Sequence, residues 1–202
     1  MDRMLYVAMA AARQTMIAQA ISSNNLANVS TSGFRRDFEA SVGLSLEADK
    51  TLPSRAYSQL QGRGMDLDQG AIFRTGNNLD IAIRGEGFIA VRTQDGREAY
   101  TRNGELRVDP IGRLVTPQGA QVLGEDGPIL IPPYTQLEIN EAGAIAVLPA
   151  GGFAQDIAIV DTIRLVNPPS QLLDKGPDGL IYRSDGEAST VDPTIQVVAG
   201  SL

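Results

Sequence analysis

The residues that break helices are confined to one part of this chain. Of 21 glycines only Gly33 and Gly43 precede residue 60, and all 11 prolines lie at or after Pro53. A glycine inside a helix costs about 1 kcal/mol and a proline about 3 kcal/mol relative to alanine. The one place where a long helix can form is therefore the N-terminal stretch, and residues 4–28, at ~1.5 Å each, make a rod of roughly 37 Å. Small or apolar side chains recur there at Met4, Ala8, Ala11, Thr15 and Ala18, with a neighbouring row at Leu5, Ala8, Ala12, Met16 and Ala20. The spacing alternates three and four, as a helix seam requires.

Past its first residues this helix carries one charge, Arg13; its other polar groups are the neutral Gln14, Thr15, Gln19, Ser22, Ser23, Asn24 and Asn25. A helix with no strongly charged face is not built to lie alone on a solvated surface. Packing on the chain's own β domain is the ordinary solution, but a seam of small side chains suits close contact with helices of other chains. The apolar run from Leu5 to Ala12 falls far short of the ~20 residues of a membrane span. Ala18-Gln19-Ala20 has the form of a leader cleavage site, yet Arg13 interrupts the approach to it and Asp2 offsets Arg3. The expectation is a soluble chain without a cleaved leader.

The rest of the sequence reads as β. Turn dipeptides fall at Asp95-Gly96, Asn103-Gly104, Ile111-Gly112, Gln118-Gly119, Asp126-Gly127, Ala142-Gly143 and Gly151-Gly152, then at Asp178-Gly179 and Asp185-Gly186. Short apolar runs such as Phe88 to Val91 and Ala144 to Leu148 lie between them, the rhythm of short strands joined by tight turns. The predicted fold is mainly β with a long N-terminal α-helix. Residues 1–35 form the helix and an Asn-rich exit turn, 36–77 an extended connector with short strands, and 78–195 a compact antiparallel β domain.

Cysteine and histidine are both absent, which removes thiolate metal sites, Cys nucleophiles and Ser-His-Asp triads. The net charge of −7 is uneven: residues 1–60 carry +1 and the remainder −8, a balance that repels nucleic acid. Gly85-Glu86-Gly87-Phe88-Ile89-Ala90 fits the dinucleotide pattern G-x-G-x-x-A, but that motif needs a helix after the glycines. Here the following residues read as one strand of a hairpin. Paired acids at Asp66 and Asp68, Glu125 and Asp126, and Asp185 and Glu187 could serve glycoside hydrolysis if one were kept protonated. Beside glycines, however, they are ordinary turn chemistry. No catalytic, cofactor-binding or metal-ligating residues are assigned. Arginine outnumbers lysine fifteen to two, a bias that suits interfaces and equally fits composition alone.

The opening Met1-Asp2-Arg3-Met4-Leu5-Tyr6-Val7-Ala8-Met9 and the segment Asn24-Asn25-Leu26-Ala27-Asn28-Val29-Ser30-Thr31-Ser32-Gly33-Phe34-Arg35 resemble the N-terminal signature of bacterial flagellar rod and hook proteins. Gln69 to Ile83, Gly85 to Phe88, Tyr100 to Gly104 and Gly112 to Val115 resemble later blocks of that family, in its order. The opening and Pro53-Ser54-Arg55-Ala56-Tyr57 look most like its proximal-rod branch. The resemblance implies a non-enzymatic structural subunit of the proximal rod of the flagellar basal body, assembling by helix packing to transmit torque for motility. Implied partners are other rod subunits, proximal and distal, copies of itself, and the flagellar export apparatus, with no nucleic acid and no membrane insertion. The implied location is the periplasm-spanning rod. Expected interface residues are Met4, Leu5, Ala8, Ala11, Ala12, Thr15, Met16 and Ala18 on the helix, and Asn24, Asn25, Leu26, Asn28, Thr31, Gly33, Phe34 and Arg35 at its exit. The family's usual second, C-terminal helix is expected to be absent from this sequence, which stops at Val197 to Leu202, about where that helix would begin, so 196–202 is expected to be the start of a missing C-terminal segment. The alternatives are a β-rich secreted binding module or a carbohydrate-active enzyme with a helical appendage.

Overall fold

The computed structural model describes residues 2–45 and 56–202, the side chains of residues 2–4, 7, 39–63 and 154 excepted. Pro53, Ser54 and Arg55 therefore lie outside the described residues. The chain forms two compact units: residues up to Thr31 together with Arg35–Asp68, and Ser32–Phe34 together with Gln69–Leu202.

In the first unit, helix α1 runs Asp2–Ala27. It ends on asparagine chemistry: the Asn28 backbone N–H and its side-chain Nδ2 both donate to the Asn24 carbonyl, at 3.2 and 3.0 Å. Thr31 N–H then donates to the Asn28 carbonyl at 2.9 Å, closing the turn. Strands β1 (Asp37–Ser45) and β2 (Ala56–Met65) follow as an antiparallel pair. Two strands of nine and ten residues are more regular than the connector expected for 36–77. Near the base of this ribbon Phe38 is paired with Gly64, where a Cβ would lie 2.4 Å from the Phe38 ring, so the glycine makes room for the aromatic.

The second unit is antiparallel throughout. Its strands are β3 (Ile81–Arg84), β4 (Phe88–Arg92), β5 (Glu98–Thr101), β6 (Arg107–Val108), β7 (Leu114–Val115), β8 (Gln121–Val122), β9 (Tyr134–Ile139), β10 (Ala144–Pro149), β11 (Ala158–Thr162), β12 (Leu165–Val166), β13 (Leu173–Lys175), β14 (Ile181–Arg183) and β15 (Gln196–Ala199). They make an eight-stranded sheet in the order β13-β14-β5-β4-β8-β7-β6 with β12 beside β4, a three-stranded sheet β11-β10-β9 and a pair β15-β3. Ile89, Val91, Leu114, Val122, Ile129, Ile145 and Val147, each at most 1% exposed, are central to its core. Alternation along β9 and β10 sends Leu137, Ile139, Ile145 and Val147 inward.

Two places depart from expectation. Gln196–Ala199, assigned by sequence to a segment beyond the β domain, pairs with β3 in the register Val197 to Ile83, because Val197 alternates into the core at 1% exposure. The chain beyond it stays in the unit, with Leu202 and Phe73 exchanging backbone hydrogen bonds at 2.9 and 2.7 Å. Asn103-Gly104 is not a left-handed turn like Asp95-Gly96, whose Gly96 has φ 81°. Gly104 is there because the Ile81 backbone passes across it: Ile81 N–H donates to the Gly104 carbonyl at 3.0 Å, and a Cβ would fall 1.6 Å from the Ile81 carbonyl oxygen. Gly85 and Gly87, with φ of 87° and 123°, lead directly into strand β4, so no helix follows them to hold a pyrophosphate. No helix among the described residues is long and apolar enough to cross a membrane.

Candidate assembly surface

Helix α1 is covered along one narrow stripe. Gln14, Ile17, Ile21, Asn25 and Asn28 are half-buried, at intervals of three and four that put them on one face, and α1 contacts β1 and β2. The rows read from sequence are open: Leu5, Ala12 and Met16 lie opposite the stripe and Ala8, Ala11, Thr15 and Ala18 to one side of it, with Leu5, Met9 and Met16 60, 59 and 70% exposed and the smaller side chains exposed with them. The Met4 side chain is outside the described residues. Thr15 Oγ1 donates to the Ala11 carbonyl at 3.0 Å, so its hydroxyl is satisfied within the helix. Leaving apolar side chains of this size in water forgoes about 1.5–3 kcal/mol each on full burial.

The exit residues are engaged within the chain. The Asn25 side-chain amide donates to the Asp37 carbonyl at 2.8 Å and accepts from the Asp37 N–H at 3.1 Å, pairing with that backbone as a neighbouring strand would. Arg36 Nε donates to Asp66 Oδ2 at 2.5 Å, and Asp66 Oδ1 accepts from the Asp68 N–H at 2.9 Å. Arg35, only 8% exposed, donates from Nη1 to the Asp68 carbonyl. Its burial lowers the guanidinium pKa, opposed by the charges of Asp66 and Asp68. Asn24 serves through its carbonyl; Leu26 is 74% exposed and Thr31 is exposed. Gly33 and Phe34 belong to the second unit. Gly33 (φ 69°) would place a Cβ 2.3 Å from the backbone of Arg102 and Asn103, and the Phe34 ring stacks on Lys175 Nζ at 4.1 Å. Asp37, Asp66 and Asp68 were not among the expected site residues; their partners are fixed by the hairpin register, and the only sequence signal was the Asp-Leu-Asp triplet.

Asp66 and Asp185, one acid from each of two pairs, sit in settings that favour ionisation. The Asp68 N–H and the Arg36 guanidinium hold the Asp66 carboxyl below its ordinary range, and Arg183 does the same for Asp185. A general acid needs the opposite shift. Because Asp66 has a lower pKa folded than unfolded, its contribution to stability is complete above the ordinary value of about 3.9 and is lost as pH falls through the folded value. Melting temperatures of the native chain and of Asp66→Asn, compared from pH 7 downward, are expected to keep a constant gap to about pH 5 and to converge below pH 4. A gap independent of pH would refute the ionised role.

Comparison with known proteins bears on this surface. Residues 5–35 match the family described as "Flagella basal body rod protein" and residues 82–147 the "Flagellar hook protein FlgE/F/G D1 domain". The chain is 39% identical over its whole length to the flagellar basal-body rod protein FlgF of Escherichia coli K12, covering 82% of that protein. The chain belongs to the flagellar basal-body rod protein family. It is also 35% identical to FlgF of Salmonella typhimurium LT2, again over the whole chain and 82% of the relative. To the rod protein FlgG of Buchnera aphidicola subsp. Schizaphis graminum it is 33% identical, over 86% of the chain and 71% of that protein. The first rod-family match ends at Arg35, the buried arginine at the base of the hairpin.

Proposed function

We propose that this rod-family chain is a structural, non-catalytic subunit of the proximal rod, built into it through the uncovered side of α1. The observation that carries this reading is the pairing of a seam of alanines with apolar neighbours such as Leu5 and Met16, which are 60 and 70% exposed. Small side chains at Ala8, Ala11, Ala12 and Ala18 let a second helix approach closely, and the larger apolar groups beside them would be buried by the same contact. Partners are other rod subunits, proximal and distal, and further copies of this chain. Head-to-tail contacts that do not close on themselves extend as a helical tube, which is the form a torque-bearing shaft needs. The Asn25 pairing with Asp37 would hold the direction in which the chain leaves the helical layer. Export through the flagellar apparatus to the periplasm-spanning rod belongs to the same proposal; the Arg13 charge breaks the apolar run that a cleavable leader needs.

Photo-crosslinking from probes at Ala12 and Met16, in a flagellated host that depends on this chain, tests the reading. Adducts to rod subunits are expected, and none from a probe at Gly96 in the β4–β5 turn. Export without any adduct to a basal-body protein would overturn it.

A further inference from the structure

We propose that the outward face and outer edge of the β11-β10-β9 sheet form a second docking site, which takes an extended basic segment of a neighbouring protein as an added strand. The site lies wholly within the second unit and uses no residue of α1, so it stands or falls separately from the helix reading. Among the described residues β11 pairs with β10 alone, which makes it the end of its sheet.

Residues paired across strands share a face. Ala146 opposes Ile159 on β11 and Glu138 on β9, and Leu148 opposes Gln136. By the two-residue alternation Ile157 falls on the same side, while Leu137, Ile145 and Val147 fill the core on the other. Ile159 and Ile157 are 69 and 53% exposed, next to the edge. Sheet edges are usually protected by lysine, proline, a bulge or a short strand; here a bulge falls between Ile159 and Asp161, beside Gly124 and Glu125, and the stretch before it presents two isoleucines.

The charge carried by this stretch of the chain bears on what the edge fits. No lysine or arginine occurs between Arg113 and Arg164, whereas Glu125, Asp126, Glu138, Glu141, Asp156 and Asp161 all do. A second copy joined antiparallel through the same edge would bring the Asp156 end of one strand to the Asp161 end of the other, which is unfavourable. A strand of apolar residues alternating with arginine or lysine places its apolar side chains beside Ile157 and Ile159 and its cations on the other face, where Asp161 is paired with Ile145. Backbone pairing to a free edge with side-chain selection is the usual chemistry of strand addition.

The test uses the full chain and two synthetic peptides, one alternating valine with arginine and one alternating valine with glutamate. Titration followed by amide NMR shifts is expected to perturb residues 157–161 with the arginine peptide only. Ile159→Lys, at an exposed position where folding is not at stake, is expected to weaken that binding roughly tenfold, the size of one lost anchor. Asp161→Asn, which keeps an acceptor for the Glu125 N–H, should weaken it as well, with an unchanged melting temperature for both variants. Equal binding of the glutamate peptide, unchanged affinity in Ile159→Lys, shifts confined to other strands, or self-association of the chain through Ile159 would each overturn the proposal.

Discussion

Ala12→Glu is expected to abolish swimming in a host that depends on this chain, while the β unit melts at its native temperature. Ala12 is exposed on the face of α1 opposite the covered stripe, so the isolated chain loses only the few tenths of a kcal/mol that separate glutamate from alanine in a helix. In an assembled helical layer the same carboxylate would enter a dry contact that leaves no space and offers no counter-charge. An unpaired buried charge costs several kcal/mol even after relaxation, and the same contact recurs at every subunit. Ala12→Ser, which keeps the side chain small, is expected to leave swimming intact. Normal rods built from Ala12→Glu would remove α1 from the assembly.

Gly104→Ala should be the most damaging small substitution in the β unit. Its Cβ would sit 1.6 Å from the Ile81 carbonyl oxygen, and that oxygen is main chain, which no rotamer change can move aside. Either the 3.0 Å bond from Ile81 N–H breaks or β3 shifts away from a core in which Ile81 is 1% exposed. Overpacking and a lost buried hydrogen bond together suggest about 3 kcal/mol or more, a fall in melting temperature of roughly 6–12 °C for a chain of this size. Gly96→Ala is the control: its φ is 81° but a Cβ there meets nothing within 4 Å. It should cost only the left-handed backbone penalty, about 1–2 kcal/mol. Equal melting of the two variants would show that the approach of Ile81 has been overestimated.

Features governed by local chemistry were legible in the sequence. The run without glycine or proline became α1, and Asp95-Gly96, Ile111-Gly112, Gln118-Gly119 and Ala142-Gly143 became positive-φ turns. The G-x-G-x-x-A motif became a loop and a strand because a strand was the only element its following residues could form. Features governed by remote partners were not. Two apolar rows were read on α1, but the stripe containing Ile17 and Ile21, which is the covered one, was not singled out. Asp66 was read as a turn acid because its partner Arg36 lies 30 residues earlier and meets it only through the register of β1 and β2. The ribbon itself had a local sign: Phe38, Ala40, Val42 and Leu44 alternate with other residues along β1. That signal was diluted by treating 36–77 as one segment.

The short stretch Ser32–Phe34 has a practical consequence for exchanging parts among relatives. By sequence it belongs to the N-terminal match that ends at Arg35, whereas by contact it belongs to the β unit, through Gly33 on the Arg102–Asn103 backbone and Phe34 on Lys175. A chimera joined after Arg35 imports a foreign tripeptide into the packing of the β unit. A junction between Thr31 and Ser32 keeps the β unit's set from a single parent but parts Asn25 from Asp37, so a grafted helix should bring Arg35–Asp68 with it and leave Ser32–Phe34 with the β unit.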